Sequence, residues 1–294
     1  MPKYTQKMWA EWKDWRLDEA SLIMTSLGAN HLENWAKEVE NLDRSVDIIL
    51  AENHPSPAEL VRNYVNSAKV GVAQAQVLRS CIEPTEEQIQ NYGNLTVQIQ
   101  DHWSLPLDGD SLVNPELIDS IEGFDLKTNF SVELTRKLFT YNAVNAVVSY
   151  IGFQRGFEYL SEAANDPEIS VIARKAGMEA SAALVAAYGF DMNEQAKWVD
   201  RALCKYQDYR IVDPIERQCR DPIRKLGRND RLFGPILLCI EFGLPFEHLL
   251  LGVKSALQYS PSEKLSNWME GGLMSTLSNL GVELPTEVIA SLES

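Results

Sequence analysis

Arg136-Lys137-Leu138-Phe139-Thr140-Tyr141-Asn142-Ala143-Val144-Asn145 lies near the middle of a 294-residue chain, inside a long run of helical periodicity. It puts one lysine and two asparagines into an otherwise apolar stretch. Lys137, Asn142 and Asn145 are offset by five and eight positions. At about 100° per residue they share an arc of roughly 140° on one helix face. A lysine held in a low-dielectric pocket loses basicity and can serve as a general base. An asparagine amide beside it can donate to a developing alkoxide. The same spacing also fits a solvent-facing lysine with two asparagines bonded to nearby backbone.

Downstream of this stretch the chain is all-helical. Ser131 to Ala163 has helical periodicity, and Asn165-Asp166-Pro167-Glu168 marks a break with proline early in the next helix. Ile169 to Tyr188 follows, with Gly189 as its C-cap, then a helix from Asp191 to about Lys205. Residues 206–230 are polar and punctuated by proline. Helices are expected over Leu232–Phe242 and Phe246–Tyr259, and two short ones close the chain, the last after Pro285.

Upstream the character is different. Ser21 to Gly28 and Val46 to Ala51 read as buried strands, each followed by a helical segment, 31–42 and Pro57–Val65. That β-α-β-α order indicates a parallel sheet, whose ligands gather beyond the carboxyl ends of the strands, here Gly28 and Glu52-Asn53. Alternating stretches such as Leu95-Thr96-Val97-Gln98-Ile99 suggest further strands within 70–107, and 108–129 reads as loop and short helix. The expected organisation is a partial α/β domain over 1–125 and an all-α domain over 126–294. Ahead of the first strand, Trp9, Trp12 and Trp15 recur every three residues, as in an amphipathic helix.

Composition narrows the classes. The formal net charge of −15 disfavours nucleic acid and anionic membranes as partners. No apolar run is long enough to span a bilayer, and the first residues lack the apolar core of a signal peptide. Cys81, Cys204, Cys219 and Cys239 are dispersed, which suits reduced thiols in a cytoplasmic protein, and the four histidines have no metal-ligand spacing. A second polar stretch, Asp213 to Leu226, packs Arg217, Arg220, Arg224 and Lys225 into nine residues. Such a cluster could bind a carboxylate or phosphate, or pair internally with Asp213, Glu216, Asp221 and Asp230.

Together these segments resemble the mannitol dehydrogenase family. The resemblance runs through Arg136 to Ala146, where the family has a lysine, four residues, an asparagine, two residues and a histidine. It continues at Tyr150-Ile151-Gly152-Phe153, Asp166-Pro167-Glu168-Ile169, Asp213 to Arg217 and Arg220 to Leu232. Met24 to Gly28 and Ile48 to Asn53 resemble the late part of the family's nucleotide domain. The resemblance implies a Rossmann-type domain, truncated here, followed by a multi-helical C-terminal domain. It also implies NAD-dependent oxidation of a polyol or polyol phosphate, such as mannitol 1-phosphate to fructose 6-phosphate. Lys137 would be the base, Asn142 would hold the substrate oxygen, Asn53 would line the same cleft, and Arg220, Arg224 and Lys225 would bind substrate. Gly28 and Glu52 would lie on the cofactor side.

Four departures matter. The family histidine falls on Asn145, whose amide cannot exchange a proton near neutral pH. An aspartate that precedes Arg79 in the family is Leu78 here. Lys205-Tyr206-Gln207-Asp208-Tyr209 stands where the family has Arg-Phe-x-Asn-Pro. No Gly-x-Gly-x-x-Gly occurs in the chain. The expected outcome is weak or absent turnover. The alternatives are a non-catalytic sugar-phosphate or partner-binding protein, or half of a split dehydrogenase; in any of these readings the open edge of the half sheet is expected to be covered by residues 1–18, by a second chain or by a homodimer mate.

Overall fold

The computed structural model describes residues 19–52, 56–78, 81–82, 84–99 and 104–293. Trp9, Trp12, Trp15, Asn53 and Arg79 lie outside them. The chain divides into two compact units, Met1–Ser131 and Val132–Ser294.

The first unit is built on three parallel strands, β1 (Leu22–Thr25), β2 (Val46–Leu50) and β3 (Val70–Gln74), in spatial order β1-β2-β3. Every residue of β2 is buried, as expected of a central strand covered on both faces. Helices α1 (Ala29–Glu38) and α2 (Pro57–Arg62) make the crossovers. Leu32, Trp35, Val39 and Val61 pack with Ile23, Ile48 and Val72 in one cluster. Residues 81–82 (β4) and 98–99 (β5) form a short antiparallel pair flanking α3 (Glu86–Tyr92), whose start carries a capping box between Thr85 and Gln88. The expected strand over Leu95–Ile99 therefore contracts to its last two residues.

Beyond it, β6 (Leu105–Asp108), α4 (Pro115–Asp119) and β7 (Phe124–Lys127) form a second parallel unit. An antiparallel bridge from Ala75 to Leu107, with the Gln76 amide on the Pro106 carbonyl at 2.8 Å, joins β6 to the end of β3. The 108–129 segment thus holds a strand that its Gly and Pro content conceals. Buried Asp47 on β2 accepts from the amides of Val113 and Asn114 at 2.8 and 2.9 Å, tying down the start of α4.

The second unit is all-helical. In place of one helix from Ser131 to Ala163 there are α5 (Phe130–Lys137), a π-helical turn over Leu138–Asn142, α6 (Ala143–Gln154) and α7 (Leu160–Asn165). They are followed by α8 (Pro167–Tyr188), α9 (Met192–Tyr206), α10 (Ile215–Cys219), α11 (Pro222–Lys225), α12 (Phe233–Glu241) and α13 (Glu247–Leu257). Three helices, rather than two, close the chain: α14 (Glu263–Glu270), α15 (Leu273–Leu280) and α16 (Thr286–Glu293). Asp166 caps α8 through the amides of Glu168 and Ile169, and Gly189 ends it in the left-handed conformation.

Residues 143–152 of α6 are buried without interruption, so this helix is the axis of the unit. It packs against α8, α10 and α13. A Cβ on Gly252 of α13 would come within 2.6 Å of the Val147 side chain, so the close crossing of α13 on α6 requires glycine there. Buried Glu179 of α8 accepts from the amides of His248 and Leu249 at 2.9–3.1 Å and meets His248 Nδ1 at 2.6 Å. It thereby caps α13, which has no N-cap side chain of its own. Glu179, Glu247 and His248 are also near enough to share a cation, but Glu179 is committed to the helix end.

Removing the Glu179 carboxylate strands two helix-start amides in the core. Glu179→Ala is expected to lower the unfolding free energy by about 1–3 kcal/mol, read as a shift of the urea midpoint at unchanged m-value.

Candidate active site

The π-helical turn decides where the polar residues of the opening stretch fall. In an α-helix, residues five apart sit about 140° away from each other. In a π-helix the i→i+5 bond defines the turn, which sets residue i+5 over residue i. Lys137 immediately precedes this turn and Asn142 is its last residue, at that spacing. They therefore share one face more closely than the helical periodicity of the sequence indicates.

Two sets of contacts hold the turn. The Arg136 guanidinium lies 4.0 Å from the Trp198 ring and 4.7 Å from the Phe190 ring, and its Nε donates to Gln195 Oε1 at 2.5 Å. This clamp fixes the last turn of α5 against α9. On the other side, the Tyr206 hydroxyl donates to the Tyr141 carbonyl at 2.8 Å. A π-helical insertion disturbs the regular ladder, and an outside donor restores a partner to its carbonyl. A phenylalanine at position 206, which the resemblance implies for the family, could not make that bond. The departure at Tyr206 is thus a gain in support for the turn.

Lys137 is half-buried. Burial pushes its ammonium down to about 8, and the nearby positive charges of Lys205 and Arg231 push in the same direction. Asn142 is half-buried beside it in sequence and on the same face. Asn145 is different: it is 9% exposed, and the Ser149 hydroxyl donates to its backbone carbonyl at 2.7 Å, with its Oδ1 farther off at 3.4 Å. The three residues are therefore two at a partly open face and one in the core.

Lys225 is also buried, at 6% exposure. Its Nζ donates to the Gln218 carbonyl and sits 5.6 Å from the centre of the Tyr150 ring. Burial, with Arg231 next in effect, pushes it down to about 8. Arg224, by contrast, is exposed and paired with Asp221 at 2.5 Å and Asp230 at 3.1 Å. Arg217 pairs with Asp213 at 2.8 Å, and Arg220 is exposed. Internal pairing accounts for Arg217 and Arg224, and of the proposed substrate-binding cations only Lys225 is buried. Arg231 was not among the sequence candidates, although it stands in the Arg220–Leu232 motif. What marks it is its depth: its side chain is 15% exposed, and it influences both Lys137 and Lys225.

In the first unit, Gly28 has φ 87° and precedes α1. Glu52, buried at the end of β2, accepts from the amides of Leu27 and Gly28 at 2.8 and 2.9 Å. The structure thus brings Gly28 and Glu52 together, but as a closed contact. A dinucleotide needs free backbone amides for its pyrophosphate, and those at this turn already carry a carboxylate. This turn does not fit NAD's pyrophosphate. Leu78 is buried and lines an apolar cleft of about 560 Å³ with Val77, Leu105, Gly123 and Phe124.

Comparison with known proteins agrees with this layout. Residues 133–271 match the mannitol dehydrogenase C-terminal domain. A curated relative, mannitol-1-phosphate 5-dehydrogenase of Brevibacillus brevis (strain 47 / JCM 6285 / NBRC 100599), is 30% identical over 258 residues. That alignment covers 83% of this chain, which spans 66% of the relative's length. Among solved structures, a substrate-free D-sorbitol dehydrogenase matches with a TM-score of 0.63 at 12% identity, over 81% of this chain and 60% of the other. Pseudomonas fluorescens mannitol 2-dehydrogenase, solved as a ternary complex with NAD and D-mannitol, matches with a TM-score of 0.54 at 18% identity, over 74% and 47%. The fold is that of the dehydrogenases that join a Rossmann-type unit to a helical one. Residues 133–271 of the helical unit are thus similar to the mannitol dehydrogenase C-terminal domain.

Reductive ¹³C-methylation of the lysines should reveal two that titrate near pH 8, well below the ordinary lysine value of about 10.4. One resonance should vanish in Lys137→Met and the other in Lys225→Met. Titration of the Lys137 signal at the ordinary value would contradict the buried position assigned to it.

Proposed function

We propose that the helical unit binds a polyol or polyol phosphate and draws the proton from its hydroxyl with Lys137. The observation that supports this reading is the π-helical turn between a lysine with its pKa pushed down to about 8 and Asn142, five residues on. The neutral amine of Lys137 accepts the hydroxyl proton and becomes an ammonium. The Asn142 amide donates to the oxygen as negative charge develops on it. Both groups lie in the stretch that matches the mannitol dehydrogenase C-terminal domain, so the reaction class proposed is oxidation at that carbon, with a nicotinamide of the NAD type as the acceptor of the hydride.

Turnover by this chain is proposed to be weak. Asn145 occupies the family's histidine position, in the core and bonded to Ser149, where it can neither take up nor release a proton. Leu78 puts an apolar wall where the family has a carboxylate. The amides of Leu27 and Gly28 are taken by Glu52. These same observations favour, as a second reading, a sugar-phosphate-binding protein that retains the scaffold without turnover.

Isothermal titration with mannitol and mannitol 1-phosphate, together with an NADH-absorbance assay, separates these readings. The expected result is saturable binding of one or both and a slow oxidation that rises as the pH passes through about 8. The rate should fall by about 10²-fold or more in Lys137→Met, and rise in Asn145→His with Leu78→Asp. Binding without oxidation, unchanged in the double variant, would establish the second reading. Absence of binding to either compound would overturn both. NADH is expected to cause no saturable quenching of the tryptophans at about micromolar concentration, the low end of ordinary enzyme affinities; such quenching would contradict the weak-turnover reading.

A further inference from the structure

Beneath the π-helical turn, helix packing brings three polar side chains into one layer of the core. Arg155, just past α6, pairs with Asp166 and Glu168 at the start of α8, so α6 and α8 run antiparallel. A short turn joins α8 to α9, and α9 therefore runs in the same direction as α6. The three helices meet at Gly177, where a Cβ would come within 2.7 Å of the Val199 side chain and 2.9 Å of the Val144 side chain. One turn from that meeting point, in the same direction on each element, stand Ser181 on α8, Gln195 on α9 and Thr140 in the π-helical turn. All three are fully buried.

Their hydrogen bonds leave two groups over. Ser181 Oγ donates to the Gly177 carbonyl at 2.8 Å and keeps its lone pairs. Gln195 Oε1 accepts from Arg136 Nε at 2.5 Å, which fixes the end of the amide that carries the protons. That end, Nε2, finds no acceptor among the described residues. Thr140 Oγ1 is likewise without a partner among them. In a regular α-helix a buried threonine can bond the carbonyl one turn back, and the π-helical turn changes that spacing. An amide or hydroxyl sealed from solvent without a partner is costly. Here a donor, and a hydroxyl that can donate or accept, share a layer with a serine oxygen that can still accept. Polar partners converging in this way are what a buried water requires.

We infer that Thr140, Ser181 and Gln195 hold one water molecule beneath the π-helical turn, and that Thr140 and Gln195 are thereby positioning residues for Lys137 and Asn142. The water accepts from Gln195 Nε2 and from the Thr140 hydroxyl, and donates to Ser181 Oγ. A continuous chain then runs from Arg136, the neighbour of Lys137, through Gln195 and the water to Thr140. It ties the end of α5 to the middle of the turn. Recovery of the α-helical repeat over Leu138–Asn142 would break this chain and carry Asn142 away from Lys137. The inference rests on the reading of Lys137 and Asn142 as the working pair, and it states what holds them there.

The test needs no polyol. A crystal structure of the full chain that resolves ordered solvent is expected to show a water within about 3.2 Å of both Thr140 Oγ1 and Gln195 Nε2. Thr140→Val, Thr140→Ser and Gln195→Met are compared with the native chain by thermal unfolding and by the ¹³C-methyl titration of Lys137. Valine has the shape of threonine without the hydroxyl. It removes a partner from the water if the water is there, and removes an unpaired group if it is not. Thr140→Val is therefore expected to lower the melting temperature by about 2–4 °C, the shift that one lost hydrogen bond makes in a chain of this size. The Lys137 signal titrates near pH 8 in the native chain. In Thr140→Val and Gln195→Met it should move up by about one unit or more, toward the ordinary lysine value of about 10.4. It should stay in place in Thr140→Ser, which keeps the hydroxyl.

A melting temperature unchanged or raised in Thr140→Val would overturn the water, as would a crystal structure without density between the three side chains. Native titration of Lys137 in folded Thr140→Val would overturn the positioning role, whatever becomes of Gln195→Met. Neither result touches Lys137 as the base, which the oxidation assay decides. Conversely, absence of oxidation would leave the water and its three partners standing.

Discussion

The organising constraint of the helical unit is the burial of α6. A helix sunk on all sides has no polar face, so whatever chemistry the unit performs must enter at its ends. It enters at the N-terminal end, where the π-helical turn over Leu138–Asn142 interrupts the α-helical repeat. The turn gathers Lys137 and Asn142 on one side while the apolar side chains around it remain in the core. The Arg136 clamp and the bond from Tyr206 to the Tyr141 carbonyl hold that departure from regular geometry in place. Asn145 lies past the turn, on the regular buried helix, and so belongs to the packing of α6.

Acidic and basic side chains are used in opposite ways. Asp47 and Glu179, buried in different units, each accept two backbone amides at a helix start elsewhere in the chain, and Glu52 does the same at the turn before α1. Their charge meets both hydrogen-bond donors and the positive end of a helix, so these acids are internally satisfied. The buried cations are not satisfied to the same degree. Lys225 has a carbonyl and an aromatic face, and Arg231 spends one of its nitrogens on Asp230.

Much of this was legible in the sequence. Periodicity and turn residues gave the β-α-β-α order of the first unit, and Asp166-Pro167 and Gly189 marked the ends of α8. The resemblance singled out Lys137 and Asn142. What stayed hidden depends on contacts between distant positions. A π-helical turn has no local signature, because Tyr206 and Trp198, far along the chain, stabilise it. Strand β7 was masked by Gly109, Pro115 and Gly123, and only its pairing with β6 reveals it. The cluster from Arg217 to Lys225 looked uniform, yet tertiary pairing divides it into surface ion pairs and one buried lysine. Arg231 was passed over because nothing local distinguishes a buried arginine from an exposed one.

The central claim is that Lys137 and Asn142 meet the same substrate hydroxyl at the π-helical turn. A crystal structure of the full chain with mannitol 1-phosphate tests it most directly. The expected result places a substrate hydroxyl within about 2.6–3.2 Å of Lys137 Nζ and within reach of the Asn142 amide. A ligand in the helical unit that leaves Lys137 or Asn142 without contact would contradict the account.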